Sequence, residues 1–271
     1  MSLGIVIKGP EGLVLAAESR ITLQVKNQQT GELISVNFDN AQKVLKFSGA
    51  HSHVGAVTFG AGGIGLRTAS SFMPEFESTL ENRRPKVIDF ARKLSSFYNG
   101  QWNTWKETAP GEYKGPPMSF VVGGYNEAEP YGRVCQFDIP SAPDPKETQD
   151  MNNFGITWGG QREIVDRLLA GFDNRVLNVA KDVLSITNDE IMKLVAGLAP
   201  LQMPVPVQYL ALQDCIDLAL FFIRTTIEAQ RLTVGIRGVG GPIDVATITR
   251  TDGFSWVQRK KLQGERTTNL S

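Results

Sequence analysis

The chemistry this chain offers begins at its second residue. Ser2 is small enough for the methionine ahead of it to be removed, which puts a hydroxyl and a free α-amine on one residue. An α-amine titrates near about 7.7–8.0, so part of it is neutral and basic at physiological pH. A hydroxyl activated by its own terminal amine is an established nucleophile design. A second motif is Gly60-Ala61-Gly62-Gly63-Ile64-Gly65, between a β-prone run and a helical pattern. It satisfies the G-x-G-x-x-G spacing that receives a dinucleotide pyrophosphate. The acid expected about twenty residues later is missing, because that distance lands near Glu81 and Asn82-Arg83-Arg84-Pro85. His51 and His53 make a His-x-His pair without a third ligand, so a solvated turn is expected there and no metal. Cys135 and Cys215 lack metal-ligand spacing and read as free thiols in a reducing cytosol.

The elements around Ser2 are a hairpin. Leu3 to Ile7 and Leu13 to Ala17 are apolar runs joined by the turn Gly9-Pro10-Glu11-Gly12, and the second leaves the core at Glu18-Ser19-Arg20. A polar stretch follows, Lys26 to Glu32, and Leu33 to Phe38 alternates, which suggests an extra strand pair before Lys43. Val44 to Phe47 and Val54 to Phe59 read as strands, with a turn at Ser48 to Ser52 and a helix from Leu66 to Leu80 after the glycines. Val87, Phe90, Ala91, Leu94 and Phe97 recur at helical spacing, and Trp102 and Trp105 extend that face. Met118 to Gly123, Gly132 to Ile139 and Phe154 to Trp158 read as strands, with a Pro-containing loop over Ser141 to Asp150. Helices are expected over Gln161 to Ala170, over 173–203 with interruptions, and over Val205 to Leu232. Ile243 to Thr249 and Phe254 to Val257 are the last strands, before a polar tail from Lys260 expected to fray. Strands, helices, strands, helices, strands do not alternate as βαβ units. The order fits an α+β fold, a four-layer αββα sandwich of two antiparallel sheets in one domain over 1–271.

With Lys43 in Gln42-Lys43-Val44 added, the order of motifs resembles a proteasome β-type subunit, a divergent prokaryotic N-terminal-nucleophile hydrolase. The resemblance implies that Ser2 stands at the family's N-terminal threonine, Glu18 at its aspartate and Lys43 at its active-site lysine. Ala61-Gly62 then matches an Ala-Gly pair whose glycine N–H, here that of Gly62, serves as oxyanion donor. Ser2 would attack as nucleophile and form an acyl-enzyme, with Lys43 beside its oxygen and Glu18 orienting Lys43. The departures lie elsewhere. Leu66, Gly159, Arg237 and Gly240 stand where the family carries polar residues, three of them supporting the catalytic amine. Arg237 at that place would lower the pKa of the amine by like-charge repulsion.

The resemblance implies a peptidase or amidohydrolase of peptides or unfolded proteins, in a homo-oligomeric ring served by an ATP-dependent unfoldase. Helix faces at Phe90/Leu94 and Leu212/Ile216, with Trp102 and Trp105, are expected to offer contact surface. The alternatives are an inactive ring or scaffold subunit and a nucleotide-binding protein using Gly60 to Gly65. No cofactor or metal is expected. The chain has 271 residues, 41% of them hydrophobic, with 28 basic and 28 acidic side chains. Zero net charge speaks against nucleic acid and against a polybasic membrane surface. No apolar run reaches the length of a transmembrane helix and no signal peptide precedes the first strand, so a cytoplasmic protein is expected.

Overall fold

The computed structural model describes residues 2–27, 29–109, 111–235 and 237–262. The chain opens with β1 (Leu3–Lys8) and β2 (Leu13–Glu18), followed by β3 (Ile21–Lys26), β4 (Leu33–Phe38), β5 (Val44–Lys46) and β6 (Val54–Gly60). Two helices follow, α1 (Met73–Ser78) and α2 (Val87–Thr108), then β7 (Met118–Gly124), β8 (Arg133–Ile139), β9 (Ala142–Gln149) and β10 (Gly155–Gly160). The second helical block is α3 (Glu163–Ala170), α4 (Arg175–Leu184), α5 (Asn188–Leu198) and α6 (Leu212–Leu232). β11 (Ile243–Thr249) and β12 (Gly253–Gln258) close the chain. The result is a mixed α+β fold with antiparallel sheets.

One five-stranded sheet runs β10-β1-β2-β11-β12, the other β5-β6-β7-β8-β9, and β3-β4 pair by themselves. β1 and β2 are buried along their whole length, because both of their faces are covered. Val6, Leu15 and Ala246 meet Val57, Phe59 and Val121 of the other sheet. Leu3, Ile5 and Val14 instead pack with Cys215, Ala219 and Phe222 of α6. α2 lays Phe90, Leu94 and Tyr98 on Val54, Phe120 and Phe137 of the second sheet. Alternating side chains therefore serve different neighbours, as the period-2 geometry of a strand requires.

Several expectations change. The loop over Ser141 to Asp150 is the strand β9, despite Pro143 and Pro145. It lies at a sheet edge and pairs with β8 through register shifts, the setting in which a strand tolerates proline. The helix placed over Leu66 to Leu80 begins only at Met73, after a 3-10 turn at Ala69–Phe72. The glycines therefore do not abut a helix N-terminus, which removes the geometry of a dinucleotide site. His51 and His53 are buried, not solvated, and the His53 ring bridges the carbonyls of Ala50 and Pro85 at 3.1 and 2.9 Å. Phe90, Leu94, Trp102 and Ile216 are core residues, so they are not contact surface; burial in the monomer already uses them. The long helix begins at Leu212, behind Pro204 and Pro206. Lys260 is tied to Asp244 through both its amide (2.8 Å) and its ammonium, so the tail is held there. The rest of the expected fraying, 263–271, lies outside the described residues.

Candidate active site

Glu18 ends β2 with its carboxylate wholly buried. One oxygen accepts the Leu3 N–H at 3.1 Å and the Lys43 ammonium. The other accepts the N–H groups of Arg20 at 2.6 Å and Gly240 at 3.1 Å. A buried carboxylate is tolerable only when paired and hydrogen-bonded, and here one side chain ties together β1, the end of β2, Lys43 and the approach to β11. Lys43, just before β5, also donates to the Arg20 carbonyl. Burial pushes its pKa down, and the Glu18 charge works against that shift. An ammonium has three protons to donate, and these bonds engage two of them.

Ser2 is buried immediately before β1. Its Oγ accepts the Gly60 N–H at 3.2 Å, and its carbonyl accepts the Gln161 N–H at 2.7 Å. Gly160 has φ +93°, and a Cβ there would lie 1.8 Å from the Ser2 carbonyl oxygen, so only glycine lets β10 end against Ser2. Ser2, Lys43, Thr58 and Gly62 border one cavity of about 20 Å³, room for a single water-sized group. Within it, the Thr58 hydroxyl is buried without a hydrogen-bond partner, as is that of nearby Ser19 outside it. Ile21, Ala41, Gly62 and Thr68 also border a larger cleft of about 470 Å³, walled by Leu23 and Phe38 of the β3–β4 pair.

Ser2, Lys43 and Gly62 thus share a cavity, with Glu18 behind Lys43. The expected direct contact between Lys43 and the Ser2 hydroxyl is not made, because the ammonium is turned to Glu18 and the Arg20 carbonyl. The backbone N–H bonded to the Ser2 oxygen is that of Gly60, two residues before the expected donor Gly62. The glycines at the departures have steric causes. A Cβ on Gly159 would fall 2.2 Å from the Phe59 ring, and one on Gly240 would fall 2.5 Å from the Arg20 guanidinium. Arg237 is exposed, and its carbonyl accepts from Arg20 at 3.1 Å. The expected like-charge pressure on a terminal amine therefore has no support, because that cation faces solvent.

Sequence reasoning missed the ion pair beneath this network. Arg20 holds Asp39 through two nitrogens at 2.6 and 2.7 Å, a bidentate geometry of the strong kind. The pairing holds Asp39 below the usual carboxylate range. The signal available was Arg20 in the acid-Ser-Arg triplet; Asp39, across the inserted strand pair, had none. Among the described residues no group of three or more His, Cys, Asp or Glu is placed to hold a metal, and no helix is long and apolar enough to cross a membrane.

No protein-family model matches the chain, and no curated protein matches it. Solved structures do. A Gly-1 mutant of Anbu from Hyphomicrobium sp. strain MC1 superposes with TM-score 0.56 at 15% identity, over 98% of this chain and 89% of that one. The helical assembly of the Anbu complex from Pseudomonas aeruginosa gives 0.55 at 15% identity, over 96% and 88%. Anbu (ancestral beta-subunit) from Yersinia bercovieri gives 0.53 at 14% identity, over 94% and 86%. The fold is therefore Anbu-like and proteasome-related. These similarities correct the resemblance to a proteasome β-type N-terminal-nucleophile hydrolase: Anbu proteins are proteasome-like but a distinct group, and neither a family model nor a curated protein supports that hydrolase assignment. The physical reason is that strand order and core packing persist at 14–15% identity, whereas short motifs at that distance do not separate related groups.

Proposed function

We propose that this Anbu-like chain cleaves peptide amides with Ser2 as nucleophile, once Met1 has been removed. The observation that carries the proposal is the shared cavity: Ser2, its hydroxyl held by the Gly60 N–H, and Lys43 border one small space. The Ser2 oxygen attacks the carbonyl carbon, and its proton passes to the freed α-amine, directly or through a bound water, while the Lys43 ammonium supplies positive charge near the developing oxyanion. Glu18 keeps Lys43 in place. The free N–H of Gly62 receives the oxyanion. The amine product departs with the proton, leaving an ester on Ser2 that water hydrolyses. The apolar cleft beside Gly62 suits the acyl-side portion of a peptide or unfolded chain.

The proposal also takes residues 1–271 as one domain, a four-layer αββα sandwich supported by three separate apolar clusters. It includes cytoplasmic location and homo-oligomeric assembly in a ring served by an unfoldase; the helical assembly of the Anbu fold neighbour supports the self-assembly. A second reading, an inactive scaffold subunit, is favoured by one observation: Phe59 and Arg20 fill the space where polar supports of an amine would stand. Intact mass spectrometry with a peptide epoxyketone or β-lactone separates the two. One adduct, on a chain lacking Met1 and absent from Ser2→Ala, is the expected result. No adduct and no turnover on a broad peptide panel, with Met1 demonstrably gone, leaves the scaffold.

A further inference from the structure

α4 and α5 form a helical hairpin in which no residue is buried. On α4 the apolar side chains cover nearly half the circumference. Leu177 and Ala180 are half-buried, while Val176, Val179 and Val183 recur at spacings of three and four on an exposed strip. Val183 is 73% exposed and Leu184 66%. α5 repeats the pattern: Ile191, Leu194 and Leu198 are half-buried, and Met192, at 69% exposure, and Val195 are open. Its start is well specified, since Thr187 and Glu190 form a reciprocal capping box. Helices of ten and eleven residues are too short to persist in water on propensity and draw their stability from burying an apolar face. This hairpin has such a face, and none of the described residues buries it.

We infer that the α4–α5 hairpin docks on the same hairpin of a second copy of this chain about a two-fold axis. Two features select that occupant. Val176, Val179, Val183, Leu184, Met192 and Val195 together expose on the order of 600 Å², most of the roughly 800 Å² per partner that a stable interface buries. The charges are self-complementary. On α4 Arg175 is held by Asp173, which leaves Lys181 beside Asp182, and α5 carries Asp189 and Glu190 against Lys193. A two-fold axis that lays α4 of each copy on α5 of the other brings Lys181 to the acidic first turn of α5 twice. The inference rests on the self-assembly named above and not on the chemistry at Ser2.

The test is sedimentation velocity and native mass spectrometry of the full chain at micromolar concentration, alongside Val183→Asp and Met192→Lys. Wild type is expected to assemble, and each variant to lose at least tenfold in association while keeping its melting temperature, since neither side chain is in a core. Lys181→Glu should weaken assembly, and mixing it with Asp189→Lys should restore mixed pairs. Variants that assemble like wild type would overturn this interface and leave self-assembly standing on another face. A wild type that stays monomeric would overturn both. Monomers that bind vesicles of anionic lipid through Val183 and Met192 would also overturn it and assign the face to a membrane surface.

Discussion

Two lysines are buried at opposite ends of the β1–β2 strand pair, and their surroundings differ. Lys8, the last residue of β1, is fully buried, donates to the Asp150 carbonyl and lies 5.1 Å from the Phe154 ring centre. Its pKa is pulled down to about 8, first by burial; Asp150, Glu147 and Glu129 oppose the shift and Arg133 adds to it. Lys43 is also shifted down by burial, but it has a carboxylate partner that is itself held by three backbone N–H groups. Lys43 borders a cavity that it shares with three hydroxyl-bearing residues, Ser2, Thr58 and Thr68. Lys8 lines neither that cavity nor the cleft beside it. Burial alone thus does not single out Lys43 for the proposed chemistry; the cavity it borders sets it apart from Lys8.

The sharpest break in the comparison is kinetic. Lys43→Ala should slow acylation of Ser2 by a hundredfold or more, on the scale of a lost electrostatic stabiliser, while Lys8→Met stays within about twofold of wild type. Adduct formation followed by mass spectrometry checks both, and equal losses would abolish the distinction. Glu18→Ala comes next. It leaves Lys43 charged, buried and unpaired, so urea melts should show a loss of about 3–5 kcal/mol.

Lys8 gives a pH signature instead. Its folded pKa, about 8, lies below the unfolded value near 10.5. Between those values the unfolded chain binds more protons, so stability contributed at this site rises with pH through that window. Lys8→Met should be the more stable protein near pH 7, by at most about 3 kcal/mol, and the gap should narrow from about pH 8 to 10.5. Thermal melts across that range read it directly, and a gap independent of pH would mean that Lys8 is not desolvated. The smallest effect concerns Gly159. Gly159→Ser should cost about 1–3 kcal/mol by overpacking against Phe59, and Phe59→Leu in the same chain should return part of it. An unaffected melting temperature for the single variant would show that the Phe59 ring yields.

Much of the frame was legible from local pattern. The hairpin of β1 and β2 follows from two apolar runs around Gly9-Pro10-Glu11-Gly12, and the strand pair inserted before Lys43 follows from alternation. α2 follows from helical spacing, although its start is set by Pro85 and Lys86. β9 was not legible, because prolines speak against a strand until its edge position is known. The site was half legible. Ser2, Glu18 and Lys43 were marked by type and order, and the resemblance implied Glu18 behind Lys43, but the Gly60 N–H on the Ser2 oxygen and the Lys43 bond to the Arg20 carbonyl were not legible.

The amino-acid order by itself determined where most strands and helices form and which polar residues interrupt the apolar runs, because those are local consequences of side-chain period and turn chemistry. Tertiary structure alone decided the rest. It set Gly60 rather than Gly62 against the Ser2 oxygen and turned Lys43 to Glu18. It closed Arg20 on Asp39 and put Phe59 and Arg20 where Gly159 and Gly240 leave room. It also placed Arg237 in solvent and left α4 and α5 without cover. Each of these depends on the distance between residues tens to hundreds of positions apart, and that distance is set only when the two sheets pack.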